Sequence, residues 1–298
     1  MAILIDKNTK VLVQGITGKE GSRAAEQMLA YGTNVIAGVT PGKGGQEVFW
    51  KPVYNSVKEA LSNHPEINTT SIAVPAAFAK SAILEATEER IPLIHVLTEH
   101  IPVFDSAYCC AQALKARVRI VGPSSIGIIS PGRAKLGSIG GDNPGFSYQP
   151  GNIGVISKSG GMTSEISVIL KKAGLGVSTA VGIGGDVIIG STFADLMKLF
   201  QEDPETKAVV IYGEQGGTYE EDLASYIKES GFNKPIAAFI AGIFAESLPS
   251  GQALGHAGAI IEAGKGRRIE KVNTLKDAGV KIAVTLDELP NLIKNSLE

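Results

Sequence analysis

Short runs of apolar and β-branched residues alternate along most of this chain with longer amphipathic segments. Strand-like runs occupy residues 11–14, 35–37, 71–74, 93–97 and 118–121, and helical patterns lie between them at 22–31, 57–61, 80–89 and 105–115. Two parallel strands need a crossover connection, which is usually a helix. The alternation therefore predicts an α/β fold in which helices cover both faces of a parallel sheet.

The alternation lapses between residues 130 and 151, where glycines and prolines are concentrated, and it restarts at 154–156. It continues through 208–211, 235–240 and 281–284. Domain boundaries fall in such glycine- and proline-rich segments, and 298 residues are enough for two domains. We predict two doubly wound parallel-sheet domains in tandem, at residues 1–130 and 131–298.

Charge and hydropathy exclude some classes of partner. The 28 basic and 30 acidic residues leave a net charge of -2, which is too balanced for a nucleic-acid-binding surface. The longest apolar stretch, at 236–245, is far shorter than the ~20 residues that span a bilayer. The first residues lack the pattern of a signal peptide, so we expect a cytoplasmic protein. The adjacent Cys109 and Cys110 are expected to be helix residues without chemistry.

The first glycine-rich loop, at residues 14–21, lies between a strand and a helix, where backbone amides can bind a phosphate. Its spacing is GxxGxxG rather than GxGxxG. The second strand is followed by Pro41, Gly42 and Lys43 instead of an acidic ribose-binding residue, which disfavours NAD. Lys43 could reach a phosphate as a point charge. Coenzyme A, with several phosphates, fits this polarity.

One of the four histidines differs from the others in its surroundings. His64, His95 and His100 lie in a turn, in an apolar strand and at a strand end, where structural roles are expected. His256 lies in the glycine- and alanine-rich segment 251–259, whose small side chains leave the imidazole open to a bulky group. The sequence therefore indicates that His256 is a nucleophile.

Further glycine-rich turns follow strands at 159–163, 182–186 and 213–217. In a parallel sheet these turns gather at the carboxyl edge, where ligands bind. Helix N-termini expected at Thr163 and near Thr218 would stabilise a phosphoryl group on His256. Glu214 is the candidate to accept a hydrogen bond from the other ring nitrogen and to fix the tautomer.

Segments 3–11, 38–45, 182–186 and 255–261 together resemble the α-subunit family of succinyl-CoA synthetase, in the same order along the chain. The resemblance implies a Rossmann-like CoA-binding domain followed by a flavodoxin-like ligase domain. It also implies a partner, the β subunit, whose ATP-grasp domain binds ATP or GTP with Mg. This agrees with the lack of a GxxxxGK[ST] loop in the chain.

The resemblance implies roles for particular residues. His256 is the phosphorylated residue, and Glu214 lies beside it. The implied reaction moves a phosphoryl group from the nucleotide to His256 and then to a carboxylic acid, and the coenzyme A thiol attacks the resulting acyl phosphate. The positions implied for coenzyme A are Thr17, Gly18, Lys19, Glu20, Lys43, Leu97, Thr98 and Glu99.

The identity of the acid is left open by departures from the family pattern. Ser164 stands where succinyl-CoA synthetases usually have a tyrosine, and Gly161 is smaller than the usual threonine. Ser164, Thr163 and nearby amides could offer donors to a larger acid. Segments 137–143 and 159–162 resemble ATP-citrate lyase and citryl-CoA synthetase. Succinate is the family default and citrate is the alternative. A non-catalytic regulatory protein that binds coenzyme A or a nucleotide is disfavoured by His256 and the glycine loops.

Overall fold

The predicted alternation of strands and helices is present in the computed structural model, which describes residues 2–244, 255–260 and 266–298. The first half contains strands β1 (Lys10–Gln14), β2 (Asn34–Val39), β3 (Glu47–Val48), β4 (Lys51–Tyr54), β5 (Thr69–Ile72), β6 (Leu93–Val96) and β7 (Arg119–Val121). Its helices are α1 (Lys19–Ala30), α2 (Val57–Asn63), α3 (Ala76–Glu88) and α4 (Val103–Ala116). Both cysteines lie in α4, as predicted.

These strands form one sheet in the order β3-β4-β2-β1-β5-β6-β7. Apart from the short antiparallel pair β3–β4, neighbouring strands are parallel. Without the edge strand β3, the order is the 3-2-1-4-5-6 arrangement of a Rossmann fold. The chain reverses its direction of winding between β1 and β5, and the loop after β1 therefore lies at the usual ligand position.

The second half contains strands β8 (Gly127–Ser130), β9 (Ala134–Gly137), β10 (Pro150–Ser157), β11 (Val177–Gly182), β12 (Ala208–Glu214), β13 (Ile236–Ala241) and β14 (Lys281–Ile282). Its helices are α5 (Pro144–Ser147), α6 (Gly160–Lys172), α7 (Phe193–Glu202), α8 (Tyr219–Ser230), α9 (Arg268–Asp277) and α10 (Leu289–Leu297).

The second sheet has the order β14-β13-β12-β10-β11-β8-β9 within the described residues. Its five parallel strands, β14-β13-β12-β10-β11, follow the flavodoxin-like order, and β8 and β9 extend the sheet in antiparallel fashion. The predicted fold class is thereby confirmed. The division at residue 130 stays a prediction. In the structure the chain changes sheets between Val121 and Gly127.

The two sheets are joined by side-chain contacts and by a shared apolar core. Thr33, after α1, accepts the Lys135 N–H and donates to the Lys135 carbonyl, both at 2.9 Å. The core contains Val11 and Ala24 of the first half together with Ile156 and Leu196 of the second. Burial of this continuous apolar surface holds the two ligand edges in a fixed relation.

Candidate active site

His256 and Glu214 form a hydrogen-bonded pair at the carboxyl edge of the second sheet. Glu214 is the last residue of β12 and is largely buried. The Nδ1 atom of His256 lies 2.8 and 3.0 Å from the two carboxylate oxygens. Nδ1–H therefore donates to Glu214, and this tautomer leaves the lone pair of Nε2 for a reacting group. Of the predicted histidine loop, residues 251–254 lie outside the described residues.

The carboxylate raises the pKa of His256 above its ordinary value. The hydrogen bond that Nδ1–H donates to Glu214 is the largest cause, and burial and the Lys158 charge act in the opposite direction. A raised pKa favours the imidazolium, whereas a nucleophile needs the neutral ring. The pair therefore fixes the ring orientation and also sets the pH above which Nε2 can react.

Gly185 determines where the His256 ring packs. A Cβ atom on this glycine would lie 2.4 Å from Cγ of His256. The Gly258 N–H donates to the Gly185 carbonyl at 3.0 Å, so the histidine loop is held on the turn after β11. A residue without a side chain is required at position 185 because the imidazole occupies that space.

A cavity of about 400 Å³ opens beside this pair. Glu214 lines it together with Ala257 and Gly258, the two residues that follow His256. Its other lining residues are Lys158 after β10, Asp186 and Val187 after β11, Gly217, Thr218 and Tyr219 at the start of α8, and Ile260 after the histidine. The cavity is large enough for a phosphoryl group and part of a small acid.

The ligand edge of the first sheet carries two further cavities. The first, of about 600 Å³, is lined by Thr17 and Gly18 of the loop after β1 and by Thr40 and Pro41 after β2. Apolar residues complete it, among them Val74 in the loop after β5 and Phe78 in the first turn of α3. Gly18 precedes α1 without a side-chain cap, so the amides of the first turn face a prospective anion.

The second cavity at this edge, of about 720 Å³, lies between the loop after β1 and the loop after β6. It brings together five of the predicted coenzyme A residues besides Gly18, namely Lys19, Glu20, Leu97, Thr98 and Glu99. Ser124 donates a hydrogen bond to Glu99 at 3.3 Å, and a Cβ atom on Gly184 would lie 2.1 Å from the Pro123 carbonyl oxygen. This edge therefore contacts the turn that carries Gly185.

The chain matches two family models, the CoA binding domain over residues 6–100 and CoA-ligase over residues 156–281. An α subunit of ADP-forming succinate–CoA ligase from Archaeoglobus fulgidus is 47% identical over 298 residues, which are 100% of this chain and 99% of that protein. The chain belongs to the succinate–CoA ligase α-subunit family. The resemblance noted in the sequence is thereby confirmed.

Two further proteins are similar to this chain. The α subunit of succinate–CoA ligase from Staphylococcus epidermidis is 47% identical over 289 residues, 97% of this chain and 93% of that protein. ATP citrate lyase from Methanothrix soehngenii, solved in complex with citrate and coenzyme A, superposes with a TM-score of 0.92 at 27% identity. That superposition covers 99% of this chain and 50% of the lyase chain, so this chain spans half the length of that protein.

The predicted coenzyme A residues all fall inside the range matched by the CoA binding domain, but they are not all in one cavity. Thr17 and Gly18 line the first cavity, and the residues from the two loops line the second. Lys43 is exposed and, within the described residues, lines neither. Asn55 accepts the N–H groups of Gly42 and Gly44, both at 3.0 Å, and so holds the loop that presents Lys43.

The three predicted substrate residues lie on the first turns of α6. The Thr163 hydroxyl is buried and donates to the Ser159 carbonyl at 2.7 Å. The hydroxyls of Ser164 and Tyr148 are 3.0 Å apart, so the buried Tyr148 side chain reaches Ser164. Gly161 is exposed. Among the described residues, none of the three lines the cavity beside Glu214, and their substrate role stays a prediction.

The helix start expected at Thr163 is wrong by one turn. The α6 helix begins at Gly160, because the Ser159 hydroxyl accepts the N–H of Met162 and so caps the helix. The start expected near Thr218 is correct, since Thr218 directly precedes α8. Both helix starts lie at the carboxyl edge of the second sheet, where a phosphoryl group on His256 is expected.

The sequence did not indicate a buried charge cluster of three residues that borders Glu214. Lys158 directly follows β10, Glu220 lies in the first turn of α8, and Lys271 lies in α9. All three are buried. A lysine in a turn and a glutamate in an acidic helix start are usually solvated, so only the position of Lys158 directly after a parallel strand could have pointed to the site.

The other three histidines have surroundings that differ from those of His256. His95 is fully buried between the Ser71 hydroxyl at 2.9 Å and the Ser125 carbonyl at 3.0 Å, and burial lowers its pKa to about 4. His64 bonds the Tyr54 hydroxyl at 3.0 Å. His100 is exposed, with a φ of 58°. The structural roles expected for His64 and His95 agree with these contacts.

No helix in the part of the chain that the structure describes is long and apolar enough to cross a membrane.

Proposed function

We propose that this chain is the phosphohistidine-carrying α subunit of a nucleoside-diphosphate-forming ligase that joins succinate to coenzyme A. The observation that carries the proposal is the bond between Nδ1 of His256 and both oxygens of Glu214, beside a cavity of about 400 Å³. The name of the A. fulgidus relative supports succinate as the acid and ADP as the released nucleotide.

In the proposed reaction, Nε2 of His256 attacks the terminal phosphorus of the nucleotide, and the nucleoside diphosphate leaves. An oxygen of the acid then attacks the phosphorus on His256, which forms an acyl phosphate and returns the imidazole to its neutral form. The thiolate of coenzyme A attacks the acyl carbon, and inorganic phosphate leaves. Each displacement has a good leaving group, so one difficult condensation becomes three easier transfers.

Glu214 has a separate role in each half of this cycle. When phosphorus bonds to Nε2, the ring becomes cationic, and the adjacent carboxylate stabilises that charge through the Nδ1–H bond. When the acid accepts the phosphoryl group, the same bond keeps Nε2 directed at the cavity. The two helix starts at Gly160 and Tyr219 add positive dipole ends at the same edge.

The nucleotide site is proposed to lie on the β subunit, in an ATP-grasp domain that binds ATP or GTP with Mg. Because the relatives are named as ADP-forming α subunits, we propose ATP as the nucleotide. The purified chain alone is then expected to show no turnover, and the reconstituted pair is expected to be active. Turnover by the rigorously purified single chain would contradict this division of labour. The cytoplasmic location expected from the sequence stays a prediction.

Citrate is the second candidate acid. The likeness to an ATP citrate lyase that was solved with citrate favours it, as does the segment 159–162. A pocket enlarged at Ser164 is disfavoured because the Tyr148 hydroxyl lies 3.0 Å from the Ser164 hydroxyl. The deciding experiment compares kcat/KM for the two acids on the reconstituted complex. We expect at least a ~10-fold preference for succinate, and the reverse preference would overturn that choice.

A further inference from the structure

A buried charge cluster lies directly beside the His256–Glu214 pair. Glu220 is fully buried, and its carboxylate lies between the ammonium groups of Lys158, at 3.2 Å, and Lys271. The same carboxylate accepts the backbone N–H of Glu214 at 3.2 Å. The cluster is therefore continuous with the residue that orients His256.

The two lysines of this cluster differ in how completely they are bonded. Lys271 donates to the Gly217 carbonyl and to the carboxylates of Glu220 and Glu221, so its three N–H groups have three acceptors. Lys158 has Glu220 as its one acceptor among the described residues, and its ammonium lies 5.5 Å from the centre of the Tyr219 ring. At least part of the donor capacity of Lys158 is left for a ligand.

The position of Lys158 indicates which ligand this is. Its side chain is 5% exposed and lines the same cavity as Glu214. A buried ammonium with unused donors is costly unless an acceptor completes it. The cavity also receives the N-terminal end of α8, a 12-residue helix whose dipole favours an anion. An anion with several oxygens satisfies both requirements, and a phosphoryl group is such an anion.

We propose that the Lys158 ammonium binds the phosphoryl group carried by His256, and binds inorganic phosphate when the reaction runs in the reverse direction. The assignment rests on the proposed function. Lys158 then neutralises charge on the transferring oxygens while Glu214 holds the ring, so the two sides of the phosphorus–nitrogen bond are stabilised by different residues. The Lys158 charge also opposes protonation of His256 and so lowers its pKa, whereas Glu214 raises it.

The test uses the reconstituted complex and three variants. Lys158→Met removes the charge, Lys158→Arg keeps it, and Lys271→Met removes the fully bonded lysine from the same carboxylate. With acyl-CoA and ADP saturating, Lys158→Met is expected to raise the KM for inorganic phosphate by at least ~10-fold, which corresponds to one lost charge-assisted contact. The KM for coenzyme A in the forward direction should change less than about twofold.

The arginine variant and the control separate phosphate binding from a structural role. Lys158→Arg should return the phosphate KM to within about threefold of wild type, since arginine also binds phosphate. Lys271→Met should lower the melting temperature and leave the phosphate KM within about threefold. An equal rise in the phosphate KM in both methionine variants would overturn the assignment, and so would no rise in Lys158→Met.

A measurement on the wild-type complex does not depend on how the variants fold. In a crystal structure of the complex with inorganic phosphate, a phosphate oxygen should lie within hydrogen-bond distance of Nζ of Lys158. Phosphate bound in the cavity without that contact would overturn the inference while leaving the proposed function intact. A wild-type complex with no phosphate-dependent turnover would instead refute the proposed function, and this assignment with it.

Discussion

Replacing Glu214 with glutamine tests the pair at the centre of the site, because it keeps the shape of the side chain and removes its charge. The carboxylate accepts Nδ1–H with both oxygens, at 2.8 and 3.0 Å. Hydrogen bonds to charged groups contribute ~1.5–3 kcal/mol, and each ~1.4 kcal/mol is tenfold in rate. Phosphorylation of His256 by ATP at high pH is therefore expected to slow by roughly 10- to 150-fold in Glu214→Gln.

The pH profile of the same variant should move in a defined direction. Glu214 raises the pKa of His256, and only the neutral imidazole is a nucleophile, so the wild-type rate falls as pH drops through that raised pKa. Without the carboxylate the pKa of His256 falls, and the acid limb of the profile moves to lower pH. Removal of Glu214 thus lowers the maximal rate of phosphorylation and lets that maximal rate persist to lower pH.

Rapid-quench measurement of phosphorylation in the reconstituted complex, between about pH 5.5 and 8.5, gives both quantities in one series. Glu202→Gln is the matched control, since Glu202 is an exposed residue at the end of α7. Its profile should coincide with that of wild type. An unchanged plateau in Glu214→Gln, or an acid limb moved to higher pH, would refute the role assigned to Glu214.

Three other changes have expected outcomes. Gly185→Ala should reduce phosphorylation of His256 by more than ~10-fold with little change in coenzyme A affinity, because the added Cβ would lie 2.4 Å from the imidazole. Normal phosphorylation in this variant would show that the ring packs elsewhere. Lys43→Ala should weaken coenzyme A binding, measured by calorimetry, by ~1–3 kcal/mol, and unchanged affinity would remove Lys43 from that site. Burial lowers the pKa of His95 from 6.5 to about 4, so the unfolded chain binds this proton more readily, and stability is lost as pH falls below about 6.5. Urea titrations at pH 7 and pH 5 should differ by roughly 2 kcal/mol from this group, a difference that His64→Gln should retain and that His95→Gln should lack.

The fold and the central pair could be predicted from the sequence because each has a local signal. The alternation of strands and helices fixes a parallel sheet, and in such a sheet the residues that follow strands share one edge. Glu214 ends β12, and His256 lies in a loop of small residues at that edge. Topology therefore made Glu214 a candidate partner of His256, and the family resemblance implied the same pair.

The rest of the site depends on packing that the sequence does not show. Glu220 belongs to an acidic helix start, which is usually solvated, yet it is fully buried because two lysines distant in sequence neutralise it. Tyr148 reaches Ser164 from a separate segment, and the two hydroxyls lie 3.0 Å apart. Such contacts depend on how helices and loops pack against each other, and they cannot be predicted from the periodicity of residues along the chain.

The position of the phosphoryl group on the histidine tests the account most directly. The wild-type complex is incubated with ATP, the labelled protein is digested under alkaline conditions, and the phosphopeptide is identified by mass spectrometry and ³¹P NMR. Because Nδ1 is bonded to Glu214, the account predicts phosphorus on Nε2 of His256 and no label in His256→Asn. Label on Nδ1, or label and acyl-CoA formation that persist in His256→Asn, would contradict it.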